Sequence, residues 1–302
     1  MQDKIKQLLK SIASGEQKSL ARAITIVENE LDGYDALLQG LQQTGAAKII
    51  GITGPPGAGK STLVNALLHY WVEQGKKIAV VAVDPSSPFN YGALLGDRIR
   101  MNHFYNHPNV FIRSLASRGA LGGLSAKIVE IADVVKNAPF DYVLVETVGV
   151  GQSEVEIAGL ADCTVVVLVP EAGDEVQTLK AGIMEIADIF VVNKADRDQA
   201  EALYRNLRIL AHEKAAEDFE TAVLKTVATT NAGIQELAAS IDELLSRLSH
   251  SERKLQLLLE KSWQLIQARR MKNVNRGLLA NQIRTEMEQP EFNLYTFINK
   301  YY

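Results

Sequence analysis

One short segment combines glycines, a lysine and two hydroxyl side chains at a spacing that suits phosphate chemistry. It runs Gly54-Pro55-Pro56-Gly57-Ala58-Gly59-Lys60-Ser61-Thr62 and fits the pattern G-x-x-x-x-G-K-[ST] between an apolar run and a helical pattern. The glycines let backbone N–H groups turn toward phosphate oxygens, and a helix begun at Lys60 adds the positive end of its dipole. We expect the Lys60 ammonium to contact the β- and γ-phosphates and the Ser61 hydroxyl to ligate Mg²⁺. The segment therefore predicts a nucleoside triphosphate site.

A tetrapeptide further along the chain, Asn193-Lys194-Ala195-Asp196, suits recognition of a purine base. Its carboxylate, on Asp196, can accept hydrogen bonds from N1–H and the exocyclic amine of guanine. Adenine lacks this donor pair, and a site built around it rejects the analogue by a large factor. On its own the tetrapeptide is equally consistent with a solvated loop. Downstream of a phosphate-binding loop, at the end of a later apolar run, it favours GTP and GDP as the ligands.

A third segment, Val227-Ala228-Thr229, follows the last apolar run and is our candidate for the guanine O6 contact. We expect a backbone N–H there to donate to O6. The usual guanine loop has Ser-Ala-x, and Val227 occupies the position of that serine. A backbone contact tolerates this change. We therefore keep these three residues as a hypothesis for the guanine contact.

Carboxylates at the ends of two apolar runs are candidates for the metal and for hydrolysis. Asp84 ends IAVVAVD, and Glu146 ends YVLVE just before Thr147-Val148-Gly149, where many GTPases have Asp-x-x-Gly. We expect Glu146 to hold Mg²⁺ through water. The N–H of Gly149 is then placed to contact the γ-phosphate and to respond to its loss.

The residue after Gly149 predicts a slow intrinsic reaction. Val150 stands where Ras-like proteins place a glutamine that orients the attacking water. The nearby polar run Gln152-Ser153-Glu154 either takes part after rearrangement or simply begins a helix. Two turn-rich segments, 85–92 and 117–123, are either moving parts near the ligand or plain connectors.

These residues need a sheet that brings the ends of several apolar runs together. Val- and Ile-rich runs alternate with helical patterns near 60–74, 124–137, 198–213 and 233–247, as in a parallel sheet covered on both faces. The runs are IIGIT at 49–53, IAVVAV at 78–83, VFIRSL at 110–115, YVLVE at 142–146, TVVVLV at 164–169, IFVVN at 189–193 and VLKTVA at 223–228. We predict an α/β, doubly wound, mostly parallel P-loop GTPase domain with helical extensions at both ends.

The predicted organisation has three parts. Residues 1–45 form a helical N-terminal extension, residues 46–249 the GTPase domain, and residues 250–302 a helical C-terminal arm. The arm begins with an amphipathic pattern that places Leu255, Leu258, Leu259, Trp263 and Ile266 along one side of a helix. We expect this side to dock on the core or on another chain.

Composition excludes several classes of protein. The 302 residues are 47% hydrophobic and 23% charged with a net charge of −4, which is ordinary for a globular chain and argues against a nucleic-acid partner. Apolar runs fall short of the ~20 residues that cross a bilayer, so no membrane partner is expected. The amino terminus lacks the pattern of a targeting segment, which predicts a cytoplasmic protein. The single Cys163 lies in an apolar run and is expected to be buried.

Several motifs in order resemble the ArgK/MeaB family of methylmalonyl-CoA mutase-associated GTPases. The motifs are GPPGAGKSTLVNAL, VDPSSP with GALLGDRIRM, SRGALGGLS, VETVGVGQSE and QTLKAGIMEIADIFVVNKAD, and the resemblance covers most of residues 20–250. It implies a G protein of metallochaperone type that couples GTP binding and hydrolysis to cofactor loading and protection of an adenosylcobalamin-dependent acyl-CoA mutase. It also implies a homodimer formed through the C-terminal arm.

The resemblance assigns roles to individual residues as well. It places Mg²⁺ or phosphate-side roles on Lys60, Ser61, Asp84, Asp97 and Glu146. A nucleotide-responsive switch is implied for residues 169–180.

Two other functions stay open at this point. One is a nucleotide-dependent kinase or ATPase accessory of an amino-acid transport system, although nothing in the sequence marks a phosphoryl acceptor. The other is a nickel-inserting G protein, which usually displays clusters of cysteine and histidine; the single Cys163 weighs against it.

Overall fold

The computed structural model describes residues 2–42, 47–84, 101–116, 127–147, 156–172, 183–214, 221–247, 251–271, 273–289 and 291–301. The chain divides into two compact units, Met1–Arg253 and Lys254–Tyr302. Each unit has its own packing. The predicted three-part division of the chain stays a prediction.

The first unit is built on one parallel sheet. Within the described ranges its strands are β1 (Lys48–Thr53), β2 (Ile78–Asp84), β3 (Val110–Ala116), β4 (Tyr142–Glu146), β5 (Cys163–Leu168), β6 (Ile189–Val192) and β7 (Ala222–Lys225). Their spatial order is β3-β2-β4-β1-β5-β6-β7, and every neighbouring pair is parallel. The carboxyl ends of all these strands therefore share one edge of the sheet. The predicted fold class is confirmed.

Helices connect the strands and precede them. In the described part of the first unit the α-helices are α1 (Gln2–Ala13), α2 (Gln17–Glu28), α3 (Tyr34–Gln39), α4 (Lys60–Glu73), α5 (Ile128–Lys136), α6 (Ile183–Ile186), α7 (Ala200–Lys214) and α8 (Ile234–Arg247). Apolar side chains of α4 and α8 pack on one group of strand residues, and those of α7 pack on another group that includes Phe190. The continuous Val and Ile runs are buried because the sheet is covered in this way.

The N-terminal helices attach to the edge strand β3 and to α5. Apolar residues at helical spacing, including Leu20 and Ile24 of α2, are buried. At one end of α2 the Gln17 side chain donates to the Val110 carbonyl at 3.1 Å, and at the other end Glu28 pairs with Arg113 at 2.8 Å. The first contact lies at the start of β3 and the second at its middle residue. They hold α2 against the first half of that strand.

The second unit consists of helices with little buried surface. The helix α9 (Ser251–Met271) begins just before the unit and is followed by α10 (Arg276–Met287) and α11 (Leu294–Ile298). Asn275 and Asn293 cap the last two helices by accepting hydrogen bonds from backbone N–H groups. Phe297 is buried beside the rings of Phe292 and Tyr301. Tyr295 is exposed, so the terminal aromatic residues only in part serve the unit's own packing.

The apolar side of α9 is exposed. The exposed fractions are 67% for Leu255, 43% for Leu258, 61% for Leu259, 59% for Trp263 and 50% for Ile266. None of the described helices is long and apolar enough to cross a membrane.

Candidate functional site

The predicted phosphate loop connects the end of β1 at Thr53 to the start of α4 at Lys60. Three of its glycines have positive φ angles, +138° at Gly54, +77° at Gly57 and +85° at Gly59. A Cβ at Gly54 would lie 2.1 Å from the carbonyl oxygen of Val167, and one at Gly59 would lie 2.5 Å from Asn193 Nδ2. These two glycines are therefore required by close approach as well as by backbone conformation.

Lys60 is buried at the amino end of α4 and its side chain folds over the loop. Its Nζ donates to the carbonyl oxygens of Gly54 at 2.8 Å and Pro55 at 3.0 Å. A buried ammonium needs such partners to compensate for lost hydration. The positive charge is thus held beside the backbone that is predicted to surround the phosphates.

Ser61 and Glu146 meet across the sheet's carboxyl edge. The Ser61 hydroxyl donates to Glu146 Oε1 at 2.7 Å, and both side chains are buried. Glu146 is brought there because β4 lies beside β1 with Ile52 and Glu146 in register. A hydroxyl and a carboxylate are oxygen donors of the kind that Mg²⁺ takes alongside substrate phosphates, so the donor set fits this ion. Among the described residues no three His, Cys, Asp or Glu side chains form a metal-ligand group.

Asn193 links the phosphate loop to the loop after β7. Its Nδ2 donates to the Ala58 carbonyl at 2.9 Å, and its Oδ1 accepts from Thr226 Oγ1 at 3.1 Å and from the Ala228 N–H at 3.2 Å. The side chain is buried and joins segments more than thirty residues away in each direction. The sequence assigned Asn193 to the nucleotide site, but not these bridging contacts.

The predicted base-recognition residues follow β6 and β7, two neighbouring strands. Lys194 has a left-handed φ of +55°, and Asp196 is exposed. In the other loop the Val227 N–H donates to the Ala232 carbonyl, Ala228 is buried, and Thr229 is exposed. The structure therefore brings Asp196 and the Val227–Thr229 segment to adjacent strand ends. The Ala195 N–H donates to the Thr226 carbonyl at 3.0 Å and joins the two loops directly.

An ion pair borders the base-recognition loop. Arg197, directly after Asp196, pairs with Glu171 in the turn that follows β5. The hydrogen bond from Arg197 is the main reason that the pKa of Glu171 lies below its usual range. Both side chains are half exposed, so solvent screens the pair and its contribution to stability is small.

The remaining predicted residues are described only in part or not at all. Pro55 is buried, Pro56 is exposed, and Thr62 is half-buried in the first turn of α4. Asp84 is the last residue of β2, the neighbour of β4, which puts its backbone at the same edge of the sheet. Asp97, Gly149 and Val150 lie outside the described residues, together with segments 85–92, 117–123, 152–154 and 173–180.

Two threonines at this edge were not among the predicted site residues. Thr53 and Thr147 are buried, and their hydroxyl oxygens lie 3.0 Å apart. The available signal was their position, since one directly precedes Gly54 and the other directly follows Glu146.

A parallel sheet with a glycine-rich phosphate loop after its central strand and an Asn-Lys-x-Asp loop after a later strand defines a P-loop GTPase. The family model described as methylmalonyl Co-A mutase-associated GTPase MeaB matches residues 20–282, and the chain belongs to this family. The family resemblance seen in the motifs is confirmed.

Individual relatives agree with this assignment. A Pyrococcus abyssi protein named as a GTPase is 44% identical over 95% of this chain and 89% of its own length. The GTPase ArgK of Escherichia coli is 35% identical over 91% of this chain and 86% of its own. A solved structure described as an LAO/AO transport system kinase has a TM-score of 0.68 and 25% identity, covering 98% of this chain and 96% of that one. The chain is a GTPase that binds guanine nucleotide and hydrolyses GTP to GDP and phosphate.

Proposed function

We propose that this GTPase regulates an adenosylcobalamin-dependent acyl-CoA mutase such as methylmalonyl-CoA mutase, coupling GTP binding and hydrolysis to cofactor loading and to protection of the mutase. The observation that carries the proposal is the family match over residues 20–282, whose description names a mutase-associated GTPase. We propose the cytoplasm as the place of this activity.

Different residues of the nucleotide site are assigned to the phosphates, the metal and the base, and this supports GTP as the ligand. Lys60 and the glycine-rich backbone hold the phosphates, with Ser61 and Glu146 on the metal side. Asp196 accepts from the guanine edge, while Asn193 keeps the phosphate loop and the loop after β7 at a fixed separation. The N–H of Gly149 is assigned to the γ-phosphate. This arrangement lets loss of that phosphate change the backbone that follows Glu146.

We assign Ser61 and Glu146 to Mg²⁺, with Asp84 and Asp97 as further candidates. When bound, Mg²⁺ neutralises charge on the β- and γ-phosphates. Glu146 orients the Ser61 hydroxyl through their hydrogen bond. Because Val150 occupies the position of the water-orienting glutamine in Ras-like proteins, we expect slow hydrolysis by the isolated chain.

The decisive experiment combines this protein with a purified candidate mutase and measures two quantities. Inorganic phosphate release from GTP should increase when the mutase is added. The mutase should also keep its activity for longer, or load adenosylcobalamin in a GTP-dependent manner. The variant Lys60→Ala should lose both effects. Transfer of labelled phosphate from GTP to an acceptor, without net hydrolysis, would instead support a kinase role and contradict the proposal.

We also assign homodimer formation to the C-terminal arm. The support is the exposed apolar side of α9, which includes Leu259 and Trp263. Contiguous apolar patches of this kind mark protein interaction sites more often than isolated exposed residues do. A second copy of the chain offers the same surface and can cover it symmetrically.

A further inference from the structure

Thr53 and Thr147 form a buried hydroxyl pair beside the metal side of the nucleotide site. Thr53 is the last residue of β1 and Thr147 directly follows the last residue of β4. Their Oγ1 atoms lie 3.0 Å apart, and the exposed fractions of Thr53 and Thr147 are 0% and 1%. A side-chain hydrogen bond therefore joins the two strands where the phosphate loop and the segment after Glu146 begin.

The backbone reinforces this link. The Thr147 N–H donates to the Ile52 carbonyl at 3.1 Å, which continues the β1–β4 pairing one residue beyond β4. The Glu146 side chain is hydrogen-bonded to Ser61 of α4, whereas the side chain of the next residue, Thr147, is hydrogen-bonded to Thr53 of β1. Two consecutive residues are thus fixed to two different elements. A shift of the Glu146 backbone away from Ser61 would have to break the contacts that Thr147 makes with β1.

We propose that the Thr53–Thr147 pair is a positioning device that holds the Glu146 carboxylate at the Ser61 hydroxyl and so sets the affinity of the nucleotide site for Mg²⁺. This inference rests on the proposed assignment of Ser61 and Glu146 to the metal. Neither threonine is assigned a contact with the nucleotide. Their effect on the reaction passes through Glu146.

The magnitude follows from the sensitivity of catalysis to geometry. A displacement of about 1 Å in a positioned group can lower a rate about 100-fold. Loss of one hydroxyl contact leaves the backbone pairing intact, so a smaller displacement is expected. Because the displacement is smaller than the one that gives a roughly 100-fold loss, we expect kcat to fall about tenfold. The Mg²⁺ concentration that gives half-maximal activity should rise by a similar factor.

The test uses Thr147→Val, which removes the hydroxyl with little change in side-chain shape, and Thr147→Ser, which keeps it. Folding of each variant is checked by circular dichroism at the assay temperature. The first measurement is GTP hydrolysis as a function of Mg²⁺. The second is the release rate of a fluorescent GDP analogue with Mg²⁺ and with EDTA, which does not depend on turnover. A matched control is Thr164→Val, because Thr164 is a buried β5 threonine whose hydroxyl has no hydrogen-bond partner among the described residues.

We expect Thr147→Val to need more Mg²⁺, to hydrolyse more slowly and to release GDP faster with Mg²⁺, while release in EDTA matches the wild type. Thr147→Ser and Thr164→Val should behave as the wild type. In the double variant Thr53→Val/Thr147→Val the loss should be close to that of the single variant, because one interaction is removed in both. A Thr147→Val protein with wild-type Mg²⁺ dependence and release rates overturns the inference alone. Wild-type hydrolysis that needs no divalent cation overturns the metal assignment in the proposed function, and the inference with it.

Discussion

Lys60 carries a positive charge that the fold has already buried at the amino end of α4. Replacement by alanine removes the cation that we assign to the β- and γ-phosphates. Hydrolysis in Lys60→Ala should fall by at least about 100-fold, the usual loss when one group that stabilises the transition-state charge is deleted. Affinity for a non-hydrolysable GTP analogue should also weaken strongly. Phosphate release and calorimetric binding measure the two effects, and Lys76→Ala, at a partly exposed lysine, is the control. Normal turnover in Lys60→Ala would refute the phosphate role.

Asp196 is exposed after β6, where its carboxylate is available to the edge of a base. Asp196→Asn replaces one acceptor by an amide that presents a donor as well, and so mismatches the two donors of guanine. The ratio of GTP to ATP affinity should fall by about 10-fold or more, because a site built to hydrogen-bond a substrate group strongly rejects analogues that lack that group. Competition binding with the two nucleotides measures the ratio. Asp198→Asn changes a neighbouring exposed carboxylate and should leave it unaltered. An unchanged ratio in Asp196→Asn would exclude the base assignment.

Residues in local motifs could be predicted from the sequence, whereas long-range contacts could not. Lys60, Ser61 and Asp196 lie in patterns whose spacing itself implies the chemistry. The Thr53–Thr147 bond and the Asn193–Ala58 bond join residues that are 94 and 135 positions apart. Such contacts depend on the strand order, with β4 and β5 on either side of β1. A single sequence shows the ends of the strands but not which ends are neighbours.

Within the phosphate loop, Gly54 is needed for both space and backbone conformation, whereas Gly57 is needed for backbone conformation alone. Gly54→Ala places a Cβ 2.1 Å from a backbone oxygen that cannot move away without shifting β5, whereas the Cβ of Gly57→Ala meets nothing within 4 Å. Both substitutions strain a positive φ, which costs about 1–2 kcal/mol. Overpacking adds about 1–3 kcal/mol at Gly54 alone. Urea unfolding should therefore show a loss of about 3 kcal/mol or more for Gly54→Ala and about 1 kcal/mol for Gly57→Ala. Equal losses would show that contact with Val167 is unimportant.

The elements themselves could be predicted because their patterns are strong. The runs that form β1 to β6 are mostly apolar, as strands buried on both faces must be, and no observed end of these strands differs from the predicted one by more than one residue. The exception is β7, which ends at Lys225 rather than at residue 228. Val227 instead pairs in an antiparallel bridge with Ala232, and this turn shapes the loop assigned to guanine. The bridge joins residues five apart in a polar segment and has no apolar periodicity to reveal it.

At the scale of the whole molecule, a net charge of −4 coexists with a site for a highly anionic ligand. Backbone N–H groups and Lys60 lie together at one edge of the sheet and can hold an anion locally. The overall charge therefore has little influence on which ligand binds. The second unit has a different character. Its described residues include few large buried side chains, and they expose an apolar helix side that a stable solitary unit would be expected to cover.

The exposed side of α9 predicts that the chain self-associates through its arm. In Leu259→Glu/Trp263→Glu two side chains with exposed fractions of 61% and 59% become charged, so the fold of one chain should tolerate the change. An apolar interface between two copies should not, because each copy would bury two unpaired carboxylates. Light scattering coupled to size exclusion should show a dimer for the wild type and a monomer for this variant. Ile209→Glu, at an equally exposed position on α7, should remain a dimer. Unchanged GTP hydrolysis in the monomeric variant would show that the nucleotide site is complete within one chain, whereas a variant that stays dimeric would remove α9 from the interface.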